Sequence, residues 1–386
     1  MTLSHFPSRR ARVTILLSVS MLALGACSEA TAPTKVSGTF TLVPNLNPAD
    51  ITADGATALL EDRGTGDVYF YDLASANLTL KTNVGSPEFD LSSGISGNLK
   101  IVATHGKPEN AGVWTEGSGW NDLGNLIAGG CEYDNLTHDV DLSAGYDISA
   151  DGHHVVGLAW LPACRAQAFY WTDAAGPGGF IALDHLGSSF PGDTLPGSNR
   201  ATKIADDGSL IGGWANTDLV DRWPAIWRPN GTGFLLPATG IFTAEWPGEI
   251  LAVSADGSMV AGTWALRGFY YTDAEGVVDL GANPPEAAPD DRVFAKAIAA
   301  NNKLIFGTIG DGFMSVQQPF VWTKATGMKA LLTVMADYGV EVPAGFYPFG
   351  VQAASSDGTV VMGWGYNDSF QISTWILKLP VKAYGL

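Results

Sequence analysis

The chain has 386 residues, 46% hydrophobic and 16% charged, with 47 glycines, 12 tryptophans, three cysteines and a formal net charge of −18. That acidity argues against a nucleic-acid partner and against docking on anionic lipid head groups, and it favours solubility. The length is large for one domain, yet no change of composition beyond residue 38 marks a second boundary.

Residues 1–26 read as an export signal: Arg9, Arg10 and Arg12, then an apolar stretch over 13–24 that is too short to span a bilayer comfortably. Ser8-Arg9-Arg10 is a fragment of a twin-arginine motif from which Arg12 and Val13 depart. Leu24-Gly25-Ala26-Cys27 resembles the lipobox of bacterial lipoproteins, which implies lipidation of Cys27. Ser28, rather than Asp, follows it; by the same resemblance this implies the outer membrane of a bacterial envelope, facing periplasm or exterior. The alternative is an ordinary signal peptide cut near Ala26, with Cys27 a spare thiol. Loss of the three arginines takes the charge from −18 to −21. Residues 27–38, small, polar and proline-bearing, read as a flexible tether, and 39–386 as the globular domain.

Residues 252–281 contain four short apolar runs separated by Ala255-Asp256-Gly257, residues 265–267 and Asp273-Ala274-Glu275-Gly276. Runs of four to six residues with such turns predict a four-stranded antiparallel meander. The first turn recurs as Ala53-Asp54-Gly55, Ala150-Asp151-Gly152, Asp206-Asp207-Gly208 and Ser356-Asp357-Gly358, and in degraded form near Gly97 and Asn301. Five residues after the turn a glycine recurs: Gly157, Gly213, Gly262, Gly307 and Gly363. An aromatic run then follows, as in Phe169-Tyr170-Trp171, Ala225-Ile226-Trp227 and Phe269-Tyr270-Tyr271. Seven copies, starting near Ala49, Ser93, Tyr146, Thr202, Ala252, Ala297 and Gln352, predict an all-β, seven-bladed β-propeller, with six or eight blades as alternatives. The last copy lacks its fourth run, and a lone run over residues 39–46 is predicted to complete that blade and close the ring. The recurring mid-strand glycines are expected where neighbouring blades crowd together, and the aromatics where blades pack. Residues 329–338, with Leu331, Val334, Met335 and Tyr338 on one face and Gly339 after them, predict a short helical insert.

The copies resemble the HAF-type extracellular repeats of bacterial surface proteins. The resemblance rests on Ser149-Ala150-Asp151-Gly152, Val155-Val156-Gly157, Phe169-Tyr170-Trp171, Asp122-Leu123-Gly124 and the insert over 331–345. It covers nearly all of the mature chain and implies architecture only, since the family carries no catalytic motif.

Chemistry is thinly signalled. Neither Gly-x-Ser-x-Gly nor His-Glu-x-x-His occurs, and the turn order Ser-x-Asp-Gly differs by one position from that of sialidase-like propellers. His153 and His154 follow a turn at one end of the meander while His138 belongs to the other, so a histidine metal site is not expected. Glu132, Asp134, Asp139 and Asp141 fit no calcium loop and read as a solvated acidic loop. No cofactor is expected. Cys131 and Cys164, the pair left once Cys27 is lipidated, are expected to form a disulfide in an oxidising compartment.

Connections after the second and fourth runs are long, as over 126–144, 187–200, 284–292 and 331–349, and binding sites concentrate on such loops. The leading reading is a lipid-anchored binding or scaffolding module acting through that face, with a glycan or another envelope protein as partner, monomeric, reaching the membrane only through its lipid. The alternatives are an enzyme on extracellular glycan or another polymer, distinguishable by two carboxylates facing across a pocket, and a purely structural envelope component. On the long-loop face, Arg165, Arg222 and Arg267 lie near Trp160, Trp214 and Trp264 in three successive copies, a pairing suited to a carboxylate or a sugar face. Against this stands a structural reading in which each arginine covers its own tryptophan or pairs with an acid.

Overall fold

The computed structural model describes residues 38–85, 93–106, 110–127, 142–161, 164–187, 197–218, 222–243, 246–310 and 317–386. The signal, Cys27, most of the tether, Cys131 and the acidic residues Glu132, Asp134, Asp139 and Asp141 lie outside them.

Strand β1 (Thr39–Pro44) precedes seven repeats. Blade 1 is β2 (Asn47–Ile51), β3 (Thr57–Asp62), β4 (Asp67–Asp72) and β5 (Leu78–Asn83). Blade 2 is β6 (Gly94–Ile95), β7 (Ile101–His105), β8 (Asn110–Thr115) and β9 (Gly119–Gly124). Blade 3 is β10 (Ser143–Ile148), β11 (His154–Leu161), β12 (Arg165–Thr172) and β13 (Ile181–Ala182). Blade 4 is β14 (Asn199–Ile204), β15 (Ile211–Ala215), β16 (Trp223–Trp227) and β17 (Gly233–Leu235). Blade 5 is β18 (Gly248–Val253), β19 (Met259–Trp264), β20 (Arg267–Thr272) and β21 (Gly276–Asp279). Blade 6 is β22 (Val293–Ala299), β23 (Leu304–Ile309), β24 (Gln318–Thr323) and β25 (Gly327–Ala330), followed by helix α1 (Leu331–Asp337). Blade 7 is β26 (Phe346–Ala354), β27 (Val360–Asn367) and β28 (Ile372–Lys378), with β1 paired to β28 from Thr39↔Lys378 to Pro44↔Ser373. The fold is thus a seven-bladed β-propeller closed by its N-terminal strand.

The core is divided into layers, one between each pair of adjacent blades. Leu59, Phe70, Ile101 and Trp114 fill the first, for example, and Val156, Tyr170, Ile211 and Trp227 the third. The middle strands of a blade are covered on both sides, so they read as unbroken apolar runs: β15 and β23 are buried at every residue. The recurring aromatics occupy these layers as expected. Helix α1 adds Leu331, Val334 and Met335 to the layer between blades 6 and 7, beside Trp375 and Tyr384.

The repeated turn has a side-chain explanation. Ser254 Oγ donates to Asp256 Oδ1 (2.8 Å) and accepts from the Met259 amide (2.9 Å), while Asp256 Oδ1 accepts from the Ser258 amide (3.1 Å). Thr52–Asp54, Ser96–Asn98, Ser149–Asp151 and Ser355–Asp357 repeat the hydroxyl contact. The mid-strand glycines require a correction. Crowding there comes chiefly from within the blade: a methyl on Gly157, Gly213, Gly262, Gly307 or Gly363 would stand 1.9–2.0 Å from the carbonyl oxygen of Ala144, Arg200, Glu249, Phe294 or Gly350, all on the first strand of the same blade. The cause is a bulge that shifts register beside each of these glycines, as between Ala201 and Lys203.

Glu61, on β3, is fully buried, and burial pushes its pKa up to about 7 against the opposing influence of Ser93 and Arg63. The native state therefore holds a proton that the unfolded chain releases from pH ~4.5 upward. This group's effect is least unfavourable at low pH and grows as pH rises through 7. Glu61→Gln is expected to leave stability unchanged near pH 4.5 and to raise it by about 2–3 kcal/mol at pH 8.5, read from urea midpoints at the two pH values. An equal effect at both would show that the carboxyl is ionised in the fold.

Candidate functional site

Sequential antiparallel order puts the turns after first and third strands on one face and the remaining connections on the other. The first strand of every blade lines the central channel: Asp50, Ile95, Asp147, Lys203, Ala252, Lys296 and Gln352 surround its short-turn end, a space of about 100 Å³. There Asp147 accepts from the Ile204 amide (2.9 Å) and pairs with Lys203 (3.3 Å), and burial pushes it up to about 6. Ser356 of blade 7 donates to Asp206 of blade 4 (2.9 Å), a contact between blades three apart.

At the long-loop end the channel opens into a cavity of about 490 Å³. The bulges shape it. Tyr146, Thr202, Leu251 and Lys296 are the residues skipped in the pairing of blades 3 to 6, and all four line the cavity. Arg200, Glu249 and Phe294 line it from two residues earlier on the same strands, as the strand period of two requires. Arg222 and Arg292 join them from loops, so among the described residues four cations and one acid line the cavity of a chain whose net charge is −18.

Glu249 is the centre of this group. It is 5% exposed and accepts from Arg200 Nη2 (2.6 Å), Arg222 Nη1 (2.9 Å) and Thr202 Oγ1 (3.0 Å). Burial alone would raise its pKa; the two guanidiniums outweigh that and hold it below the usual carboxylate value. The Arg200 guanidinium lies 4.9 Å from the Tyr146 ring centroid and 5.6 Å from that of Trp214, and the Arg222 guanidinium 5.0 Å from Trp214. Trp214 thus contacts two cations. Among the described residues Arg200 Nε and Trp214 Nε1 are buried with no hydrogen-bond acceptor.

Of the six residues named from the sequence, Arg222 and Trp214 meet at this mouth. Arg267 instead grips Asp279 through Nε (3.1 Å to both oxygens) and Nη2 (2.6 Å), and Trp264 is 0% exposed, packed on Trp223, Phe242 and Phe269. Arg165 opens β12 opposite Leu161, and Trp160 is half-buried on β11. The three pairs therefore do not form one repeated site. Cys164 stands just before β12 with φ of 54°. His154 Nδ1 contacts the Tyr170 hydroxyl (2.6 Å) and His153 pairs with Asp173, both near the short-turn face. Tyr146, Arg200, Glu249, Arg292, Phe294 and Lys296 escaped the sequence reading. Their signal is register: Arg200, Glu249 and Phe294 each precede the partner of a mid-strand glycine.

No family model matches the sequence, and no curated protein matches it. Among solved structures, the chain is similar to an oligogalacturonate lyase from Vibrio parahaemolyticus, with 13% identity, TM-score 0.51, and 90% of this chain and 100% of that one covered. It is also similar to the β-propeller domain of Cps50 (Swd1) from Myceliophteria thermophila, with 8% identity, TM-score 0.51, and 88% and 99% covered. The match to TolB from Acinetobacter baumannii is weaker, with 15% identity and TM-score 0.40; it covers 62% of this chain and 54% of that one. At these identities the likeness is one of fold.

Proposed function

We propose that this protein is a lipid-anchored module of the bacterial envelope, of the HAF-repeat type, that binds or scaffolds through its long-loop face with the channel mouth as the point of contact. The observation that carries the reading is the mouth itself: among the described residues, four cations and one carboxylate line it, on a chain of net charge −18. A cationic cavity with aromatic walls, held on strands, is suited to capturing a ligand. Among the described residues the lining presents one carboxylate, Glu249.

Cys27 is proposed as the lipidation site, with residues 28–38 as tether and outer-membrane attachment following. Cys131 and Cys164 are proposed to form a disulfide contributing roughly 3–4 kcal/mol through loop entropy. The test is a binding screen of the purified mature domain against glycans and envelope fractions, run beside Arg222→Gln/Arg292→Gln. The expected result is a ligand that the double variant holds at least tenfold more weakly. Equal binding by both would move the function away from the mouth, and multiple turnover of a polymer would replace a binding module with an enzyme. A Cys27→Ser protein is expected in the soluble fraction with unchanged β-rich circular dichroism; one that still sediments with membranes after a high-salt wash overturns the anchor.

A further inference from the structure

We propose that the channel mouth is a carboxylate subsite for an acidic sugar, a uronate within a polymer, with Arg292 and Arg222 as the groups that grip it. This rests on the mouth being the working site and goes further in naming the ligand's chemistry. The first observation is an excess of donors. Arg200 Nε, on a residue of the lining, is buried without an acceptor among the described residues, so the surplus there is of donors. The one carboxylate among the described residues of the lining, Glu249, already takes three hydrogen bonds.

The second observation is that the cations are unequally committed. Arg200 is spent on Glu249, its side chain 14% exposed. Arg222 gives Nη1 to Glu249 but is 46% exposed, and among the described residues the rest of its fork has no ion-pair partner. Arg292 stands over Phe294 at 5.6 Å and makes no ion pair among the described residues. Two guanidiniums with open edges match the paired oxygens of a planar carboxylate. Phe294 and Tyr146 offer aromatic faces, and Thr202 and Thr263 offer hydroxyls, in a cavity of about 490 Å³. Ring faces and hydroxyls around an arginine fork suit a sugar ring that bears the carboxylate better than a bare anion.

Titration calorimetry of the full mature domain tests this with galacturonate oligomers, the matching neutral galactose oligomers and inorganic phosphate. The expected result is uronate binding that weakens with added salt, no binding of the neutral oligomer, and phosphate no better than a weak competitor. Arg292→Gln and Arg222→Gln are each expected to weaken the uronate roughly 10- to 100-fold. Neutral and acidic oligomers bound equally well, with both weakened in the variants, would overturn the carboxylate and leave the mouth as the site. Uronate binding unaffected by either variant would overturn the mouth. Phosphate bound more tightly than uronate, or no binding of uronate at all, would also overturn the proposal.

Discussion

Glu249→Ala is expected to destabilise the propeller by about 3–5 kcal/mol, the cost of leaving a buried cation without its counter-charge. Arg200 carries that cost, since its side chain is 14% exposed and its one ion pair among the described residues is to Glu249. Arg222 does not, because at 46% exposure it returns to water. Arg222→Gln leaves Glu249 paired with Arg200 and should therefore cost less than Glu249→Ala. Glu249→Gln should fall between the two, keeping an acceptor for Thr202 but not the charge. The pH dependence follows from the lowered pKa of Glu249. A carboxyl held below its unfolded value stabilises the fold above pH ~4.5, and that contribution is lost as pH falls through the folded-state value. The gap between parent and Glu249→Ala, read from urea midpoints, should therefore be full at pH 7 and narrow toward pH 3. A loss below about 1 kcal/mol at pH 7 would mean that water reaches Arg200 and that the cluster is not a buried one.

The contrast between fold and site in this chain comes down to register. The propeller is legible because its signals are local and repeated. A hydroxyl two residues before an Asp makes the same turn in blade after blade, and a glycine recurs opposite each bulge. The site depends on which side of a strand a residue faces. Trp160 follows Gly157 by three residues, Trp214 follows Gly213 by one, and Trp264 follows Gly262 by two. Side chains alternate along a strand, so Trp264 faces the opposite way from the other two and enters the core. The arginines are likewise offset. Arg165, Arg222 and Arg267 precede the residues paired with those glycines by four, three and two positions. Position within the copy made them look equivalent; counting from the glycine shows that they are not. The same count puts Arg200 and Glu249, of opposite charge, at one register on adjacent inner strands. Arg292 was not legible in this way, because it sits in a connection with no repeated pattern and reaches the mouth through the path of its loop.

Gly213→Ala is expected to cost about 3 kcal/mol or more and to lower the yield of folded protein. The added methyl would stand 1.9 Å from the Arg200 carbonyl oxygen and 3.0 Å from its carbon. Both are backbone atoms of the paired inner strand, so no side chain can swing aside to relieve the clash. Relief requires straightening the bulge between Ala201 and Lys203 or parting the two strands, and backbone shifts of this kind lie at the upper end of overpacking costs. Arg200 would move with its carbonyl, so a variant that survives should also bind ligand less well at the mouth. Gly276→Ala is the control. Its φ is +71° and nothing lies within 4 Å of the new methyl, so only the strain of a left-handed residue applies, about 1 kcal/mol. Denaturant midpoints of the two variants separate backbone clash from backbone conformation. If Gly213→Ala proves no less stable than Gly276→Ala, the inner strand yields freely at its bulge, and the recurrence of glycine at this position has another cause.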